Sequence, residues 1–263
     1  MSQDKEAKRK ALEHEISRIQ PVERGFTGRL FTFIGKVLIR TCTRFEIRGV
    51  ENLPESAPYI LAPNHETYVD GLIASMGLNT SQYEKLTCLA AKELETDHGL
   101  FGKIMMRVGR GIPLDRKGNP LTSLKVCIKQ LENGNILLIH PEGTRSADGK
   151  LGHIQDGCGF IAKHAKTLVV PTFIDGGYEI FSRHMKKPSF WQKGMKRRRL
   201  IVHYGAPLNP ADYKNSKELT QALSQVLHAF YANKEVPRTY EGENLKYIEN
   251  LQAKLDRLKN IDE

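Results

Sequence analysis

Two short segments hold residue types that can move a proton and bind an anion. The first is Asn64-His65-Glu66-Thr67-Tyr68-Val69-Asp70. A carboxylate bonded to one imidazole nitrogen leaves the other free to take up a proton, so His65 with Asp70 is a candidate base with its orienting partner. In regular helix the two side chains would sit about 140° apart, on different faces. Partnership therefore requires His65 in a turn and Asp70 in the first helical turn, where a carboxylate also suits the positive end of the helix dipole. The other reading makes His65 a core or capping histidine and Asp70 a cap. The second segment is Pro141-Glu142-Gly143-Thr144-Arg145-Ser146. Gly143 lets backbone come close to a ligand, Arg145 offers a planar fork for phosphate, and Thr144 and Ser146 add hydroxyl donors. Glu142 would repel phosphate directly, so its expected task is to orient Arg145 or another cation. The alternative is a polar turn after a strand.

Both segments follow apolar runs that read as strands. The candidates are Arg44–Arg48, Tyr59–Ala62, Leu86–Ala91, Gly111–Leu114, Ile136–Ile139, Leu168–Ile174 and Leu200–Tyr204, most of them rich in β-branched and aliphatic residues. Between them lie helix-length stretches, Asp70–Met76, His98–Val108, Pro120–Glu132 and Gly157–Lys166, with Asn133-Gly134 as a natural stop. Strands alternating with helices predict an α/β fold with a mainly parallel central sheet flanked by helices. Polar residues at the carboxyl end of a strand in such a sheet lie where ligands bind. Proline in the run Val169-Val170-Pro171-Thr172 marks an edge or a bulge.

The flanks carry a different pattern. Arg24, Arg29, Lys36, Arg40 and Arg44 fall in a stretch without acids. There Leu30, Ile34, Val37, Leu38 and Thr41 share one helical stripe beside Arg29, Lys36, Arg40 and Arg44, with Phe33 and Ile39 outside the pattern. Residues 1–43 thus read as an amphipathic helical anchor lying in a membrane interface, although a helix packed on its own domain would show the same pattern. Residues 44–210 form the domain proper, and Arg183–Arg199 within it is basic, acid-free and includes Phe190 and Trp191. Residues 211–263 read as a helical extension whose Leu245, Ile248, Leu251, Leu255 and Leu258 dock on the domain rather than build a coiled coil.

A formal net charge of +10 and a pI of about 9.4 favour an anionic partner: nucleic acid, an anionic bilayer or a phosphorylated substrate. Cys42, Cys88, Cys127 and Cys158 lack disulfide or metal-site spacing and read as reduced core thiols, so no metal is expected. The opening residues are too polar for a secretory signal, and no uncharged run reaches the ~18 residues of a transmembrane helix. The expectation is a cytoplasmic protein that lies on a membrane. Gly157-Cys158-Gly159-Phe160-Ile161-Ala162 fits a dinucleotide fingerprint only formally, since it follows a polar loop instead of a strand. There is no G-x-S-x-G elbow, and His98, His153, His164 and His203 lack companions at ligand spacing.

Four blocks, in this order, resemble the glycerolipid acyltransferase family, whose best-known members are the lysophosphatidate acyltransferases. Asn64-His65 to Asp70 matches the family's N-H-x4-D block, and Asp115-Arg116 the end of its second block. Pro141–Ser146 matches its P-E-G-T-R-S block throughout, and Val170-Pro171 its V-P block. Arg48–Pro54 and Tyr204–Leu208 are similar to its flanking segments, so the resemblance spans roughly Arg44 to Pro207. The joint occurrence of the first and third blocks makes it specific. The chain departs at His140, where an aromatic is usual, at Arg110 and Pro113, where glycine and an aromatic are common, and at His153-Ile154-Gln155-Asp156, where a Phe-Lys-rich stretch is frequent.

The resemblance implies direct transfer of a fatty acyl group from acyl-CoA or acyl-carrier protein to a lysophospholipid hydroxyl, first of all that of 1-acylglycerol 3-phosphate. Other lysolipids and glycerol 3-phosphate stay open as acceptors. His65 would be the base and Asp70 its orienting partner. Glu142, Gly143, Thr144 and Arg145, with Arg116, would form the acceptor phosphate site, and Lys92 would add charge. Backbone N–H groups near Asn64 or after Arg145 would face the oxyanion. No cofactor besides the donor substrate is implied, and no acyl-enzyme. The implied partner is an anionic phospholipid surface, not nucleic acid. The competing reading is a non-catalytic basic module that binds nucleic acid or membrane, with Phe190 and Trp191 beside its cations.

Overall fold

The computed structural model describes residues 6, 10, 12–14, 16–91, 99–114 and 119–259, with side chains as far as 254. The strands are β1 (Arg44–Arg48), β2 (Tyr59–Pro63), β3 (Leu86–Ala91), β4 (Gly111–Leu114), β5 (Ile136–Leu138), β6 (Val169–Asp175), β7 (Trp191–Gln192), β8 (Lys196–Arg197) and β9 (Arg199–Tyr204). Seven of them form one sheet in the order β1-β9-β6-β2-β5-β3-β4, and β7 and β8 make a separate hairpin. Every pairing in the large sheet is parallel except β6 with β9. The strands expected from apolar runs form within a residue of their expected ends; the hairpin and the reversal of β9 left no mark in the periodicity.

Residues 12–14 and 16–18 are helical, and from residue 25 onward the α-helices among the described residues are α1 (Gly25–Cys42), α2 (Asp70–Ala74), α3 (Thr80–Lys85), α4 (Gly99–Gly109), α5 (Pro120–Glu132), α6 (Gly157–Ala165), α7 (Gly177–Phe181), α8 (Ser216–Ala232) and α9 (Gly242–Lys259). Asn119 caps α5 with Pro120 in its first turn, and Asn215 caps α8. Period-two alternation in β2 sends its side chains to opposite faces of the sheet. Ile60 and Ala62 pack with Leu137, Val169, Val126 and Ile161 and with Leu219, Leu223 and Leu227 of α8. Tyr59 and Leu61 pack with Ile136, Leu138, Val170, Ile73 and Ile39.

Pro171 sits inside the sheet, not at its edge. It pairs in register with Ala62 of β2 on one side, and on the other falls at a break between the Val169–Leu208 bridge and the Thr172–Tyr204 pair, where a missing N–H is tolerated. Its carbonyl still accepts from the Gly205 N–H at 2.8 Å.

α1 is turned the other way from an ordinary surface helix. It buries Gly28, Thr32 and Ile39 and exposes Phe26, Leu30, Phe31, Phe33, Ile34, Val37 and Leu38. Its inner side answers backbone groups that need donors. Arg24, just before the helix, is buried and donates to the carbonyls of Tyr83, Leu86 and Val108. A Cβ at Gly28 would stand 3.0 Å from the Arg107 carbonyl oxygen in α4, so the two helices touch backbone to backbone there. The helix cations also reach back to the protein: Arg29 pairs with Glu84 at 3.2 Å, and Lys36 lies 4.1 Å over the Tyr83 ring. Burial first, then Arg40 and Arg24, lowers the Lys36 ammonium to about 8.

Two expectations for the other flank are refined. Of the apolar stripe expected to dock α9, Ile248 and Leu251 are half-buried and Leu245 is exposed, while Asn244 is buried and Tyr247 stacks on His184 at 3.8 Å, so polar and aromatic contacts of the first turns share the docking. Leu255 and Leu258 lie outside the described side chains. Within Arg183–Arg199, Arg198 is buried and pairs with Glu241 at 2.7 Å, and Arg199 bonds Glu46 at 2.7 Å and Glu235 at 2.9 Å. Those guanidiniums serve the fold; Arg183, Lys186, Lys187, Lys193, Lys196 and Arg197 are the exposed cations of the segment.

Candidate active site

β2 and β5 are neighbouring parallel strands, so the loops leaving their carboxyl ends stand side by side. The loop after β2 carries His65 and enters α2 at Asp70. His65 Nδ1 lies 2.9 Å from Asp70 Oδ2. The same oxygen accepts the Glu66 N–H at 2.6 Å and the Thr67 N–H at 2.8 Å, while Oδ1 accepts the Thr67 hydroxyl at 2.8 Å. This is the turn-then-helix geometry the spacing demanded. Facing a carboxylate, Nδ1 carries the proton and Nε2 keeps its lone pair. Burial pushes the Asp70 carboxyl up, but the bond from His65, the nearby imidazoles and the Thr67 amide outweigh it and hold the group below its ordinary value.

The loop after β5 grips the backbone of His65 from both sides. Glu142 Oε1 accepts the His65 N–H at 2.7 Å, and the Ser146 N–H donates to the His65 carbonyl at 2.7 Å. Glu142 Oε2 accepts the Gly152 N–H at 2.6 Å. Glu142 is buried and holds the His65 loop, not Arg145, which corrects the expected task. Burial raises its carboxyl to about 7 against the pull of the Gly152 and His65 amides. Arg145 instead lies 3.5 Å over the Tyr68 ring, and its buried Nη1 has no hydrogen-bond partner. Gly143, with a φ of 71°, and Thr144 are exposed at the loop tip.

Asn64 is committed to the sheet. Its side chain donates to the Ile174 carbonyl at 3.1 Å and accepts the Ile174 N–H at 2.7 Å, and its own N–H reaches the Thr172 carbonyl at 3.3 Å. It braces the end of β2 against β6. Lys92, Asp115 and Arg116 lie outside the described residues.

Two residues of the site escaped the reading of the sequence. His140 stacks on His65 with ring centroids 3.7 Å apart and planes 7° from parallel. Its Nδ1 faces the carbonyls of Pro63 at 3.2 Å and Asn64 at 3.1 Å, so that nitrogen is the protonated one. Burial first, and the neighbouring His65 second, lowers its pKa to about 3, leaving a neutral ring. Its departure from the usual aromatic was the available signal. Glu66 is buried and turned inward, and nothing in its spacing announced a partner. His65, Asp70 and His140 bring ligand-type atoms within 4.8 Å of one another. Their parallel rings, however, send lone pairs along parallel planes, and both Asp70 oxygens already accept, so the grouping suits stacking rather than convergence on an ion. Burial pushes the Cys88, Cys127 and Cys158 thiols up to about 12, which leaves them poor nucleophiles.

Comparison with known proteins places these features. The family described as acyltransferase matches residues 44–175. A 1-acyl-sn-glycerol-3-phosphate acyltransferase from Bacillus subtilis is 27% identical over 195 residues, which is 73% of this chain and 89% of that protein. The Homo sapiens 1-acyl-sn-glycerol-3-phosphate acyltransferase beta is 29% identical over 154 residues, 57% of this chain and 52% of that one. Among solved structures, the 1-acyl-sn-glycerophosphate acyltransferase from Thermotoga maritima has the same fold, with a TM-score of 0.59, 22% identity, and coverage of 84% of this chain and 80% of that chain.

Proposed function

The chain belongs to the acyltransferase family, and from that premise we propose that it moves a fatty acyl group from acyl-CoA or acyl-carrier protein to the free hydroxyl of 1-acylglycerol 3-phosphate, giving phosphatidate. The observation that carries the reading is the His65–Asp70 pair at 2.9 Å, set beside the Arg145 loop by the backbone bonds of His65. His65 Nε2 takes the proton of the acceptor hydroxyl as that oxygen attacks the thioester carbonyl. Asp70 keeps the imidazole in the right tautomer and stabilises the imidazolium. Collapse of the tetrahedral intermediate breaks the carbon–sulfur bond, and the proton passes from His65 to the departing thiolate. The ester forms without an acyl-enzyme, in keeping with the high thiol pKa values of the buried cysteines.

Arg145, with the Thr144 hydroxyl and the backbone at Gly143, is the proposed site for the acceptor phosphate; Arg116 is its proposed second cation. A guanidinium nitrogen with no protein partner supports that role, since a buried unmade hydrogen bond costs about 1–3 kcal/mol until an acceptor arrives.

Both substrates are amphiphiles, so the site must meet a membrane. No described helix is long and apolar enough to cross one. The outward face of α1, with Phe26 78% and Phe33 67% exposed, supports an interfacial anchor instead. Leu100 and Phe101 of α4, which packs on α1, extend that exposed apolar surface. The Trp191–Met195 hairpin adds exposed apolar and cationic side chains, and Arg197 joins it to the end of α1 through the Thr41 carbonyl at 3.0 Å. The proposed location is the cytoplasmic face of an anionic membrane.

The test is release of free thiol from acyl-CoA with 1-acylglycerol 3-phosphate present, run beside lysophosphatidylcholine and glycerol 3-phosphate. Phosphatidate formation with the first acceptor is the expected result. No thiol release with any acceptor, from folded protein on vesicles, would sink the proposal.

A further inference from the structure

We propose that Arg238, in the segment between α8 and α9, is a positioning residue for the catalytic base; this rests on His65 being that base. Glu66, next to His65, points its carboxylate into the interior. Its Oε1 accepts from Arg238 Nη2 at 2.8 Å and its Oε2 accepts the Tyr178 N–H at 2.8 Å. Two accepting oxygens are the arrangement of an ionised carboxylate. Burial first, then the charges of Glu179 and Asp70, raise the group to about 8 against the pull of Arg238, so the guanidinium at 2.8 Å is what favours the charged form there. Arg238 Nη1 meanwhile reaches both oxygens of Glu179 in α7, at 3.1 Å each, and Glu179 also accepts the Thr239 N–H at 3.2 Å. One planar guanidinium thus ties the His65 loop to the start of α7.

The same segment reaches the other catalytic loop. A Cβ at Gly149 would stand 2.7 Å from Arg238 Nε, so the arginine lies flat beneath the loop that follows Arg145. The Tyr240 hydroxyl donates to the Asp148 carbonyl at 2.9 Å. The segment is pinned at one end by Asp175, which accepts the N–H groups of Glu235 at 2.6 Å and Val236 at 3.0 Å, and at the other by the Arg198–Glu241 pair at 2.7 Å. Residues 235–241 therefore brace both halves of the site from outside the 44–175 span.

The path to the chemistry is one residue long. The Glu66 N–H donates at 2.6 Å to Asp70 Oδ2, the oxygen that faces His65 Nδ1. Pinning the Glu66 side chain fixes the direction of its amide and so the seat of the Asp70 carboxylate. Release of that side chain lets the carboxylate rock and the His65–Asp70 bond loosen. Arg145 rests on Tyr68 and is not on this path.

The test uses the full chain on mixed vesicles, with acyl-CoA and 1-acylglycerol 3-phosphate. Arg238→Met is expected to lower kcat by roughly ten- to hundredfold, the usual cost of losing a partner behind a catalytic ligand, with KM for the acceptor within about twofold. Arg238→Lys, which keeps the charge but not the fork, falls between parent and Arg238→Met. In proton NMR, the downfield His65 Nδ1 proton, assigned by its loss in His65→Ala, moves upfield or broadens in Arg238→Met. Unchanged kcat with an unmoved proton overturns the proposal, and so does a fall in kcat that merely tracks a lowered folded fraction. Where Arg238→Met fails to fold, Glu66→Gln/Glu179→Gln/Arg238→Met removes both carboxylates that lose their partner: persistently low kcat in that folded variant supports positioning, while parental kcat reduces Arg238 to charge balance and overturns it. Retained activity in His65→Ala would instead condemn the base assignment.

Discussion

Around His65 the protein buries polar groups and pairs almost every one; along α1 it exposes apolar groups and buries polar ones. Asp70, Glu142 and Glu66 each lose water but gain backbone amides or a guanidinium in return. Phe26 and Phe33 stay largely exposed among the described residues, because α1 turns Arg24, Gly28 and Thr32 inward. The first region is complete in itself and supports a chemical step. The second leaves apolar side chains exposed, the face proposed above to meet a membrane. The contrast teaches that burial sorts residues by what must not move and what must meet something else.

The strongest attempt to break this contrast is His65→Ala. Turnover should fall by about 10²–10⁴-fold, the range of a lost general base, while circular dichroism and vesicle flotation stay as in the parent. Activity within threefold of the parent would remove the chemical half of the comparison. Next comes Glu142→Ala, which orphans the N–H groups of His65 and Gly152. We expect a loss of about 1–3 kcal/mol in urea unfolding and a drop in kcat of roughly ten- to hundredfold.

On the other side, Phe26→Ser/Phe33→Ser should weaken binding to anionic vesicles by at least about tenfold, since each buried aromatic contributes roughly 1.5–3 kcal/mol. Unfolding free energy should change by no more than about 0.5 kcal/mol for each exposed substitution. A marked loss of stability would mean that α1 covers its own domain after all. Lys193→Glu/Lys196→Glu should act more gently, at ~1 kcal/mol per cation near the surface, and the difference from the parent should fade with added salt.

A last measurement concerns pH. The folded carboxyl of Asp70 lies below its ordinary value of 3.8, so its contribution to stability is full above that value and is lost as acid carries the pH through the lower folded pKa. Melting temperature should drop across that acid range in the parent and drop less in Asp70→Asn. Equal acid slopes in the two proteins would count against the ionised carboxylate with its four hydrogen bonds.

Much was legible in the sequence because it depends on local spacing. Apolar runs marked the strands, Asn133-Gly134 marked the end of α5, and His65, Asp70 and Arg145 stood out by type and order. Glu142 was visible but misjudged. Its partners are backbone amides, which every residue carries, so no spacing can name them. Arg198 and Arg199 read as surface charge because the acids that pair with them, Glu241, Glu46 and Glu235, are distant in the chain.

By itself the sequence determined a mainly parallel α/β domain with a histidine in a strand-to-helix turn and an arginine loop after a second strand, since period and turn chemistry are properties of short segments. Only the tertiary structure decided which way α1 faces, what Glu142 and Glu66 hold, and that residues after α8 reach back beneath both loops. Periodicity reports that side chains avoid water without saying against what, and hydrogen bonds across the fold form between groups whose chain separation carries no signal.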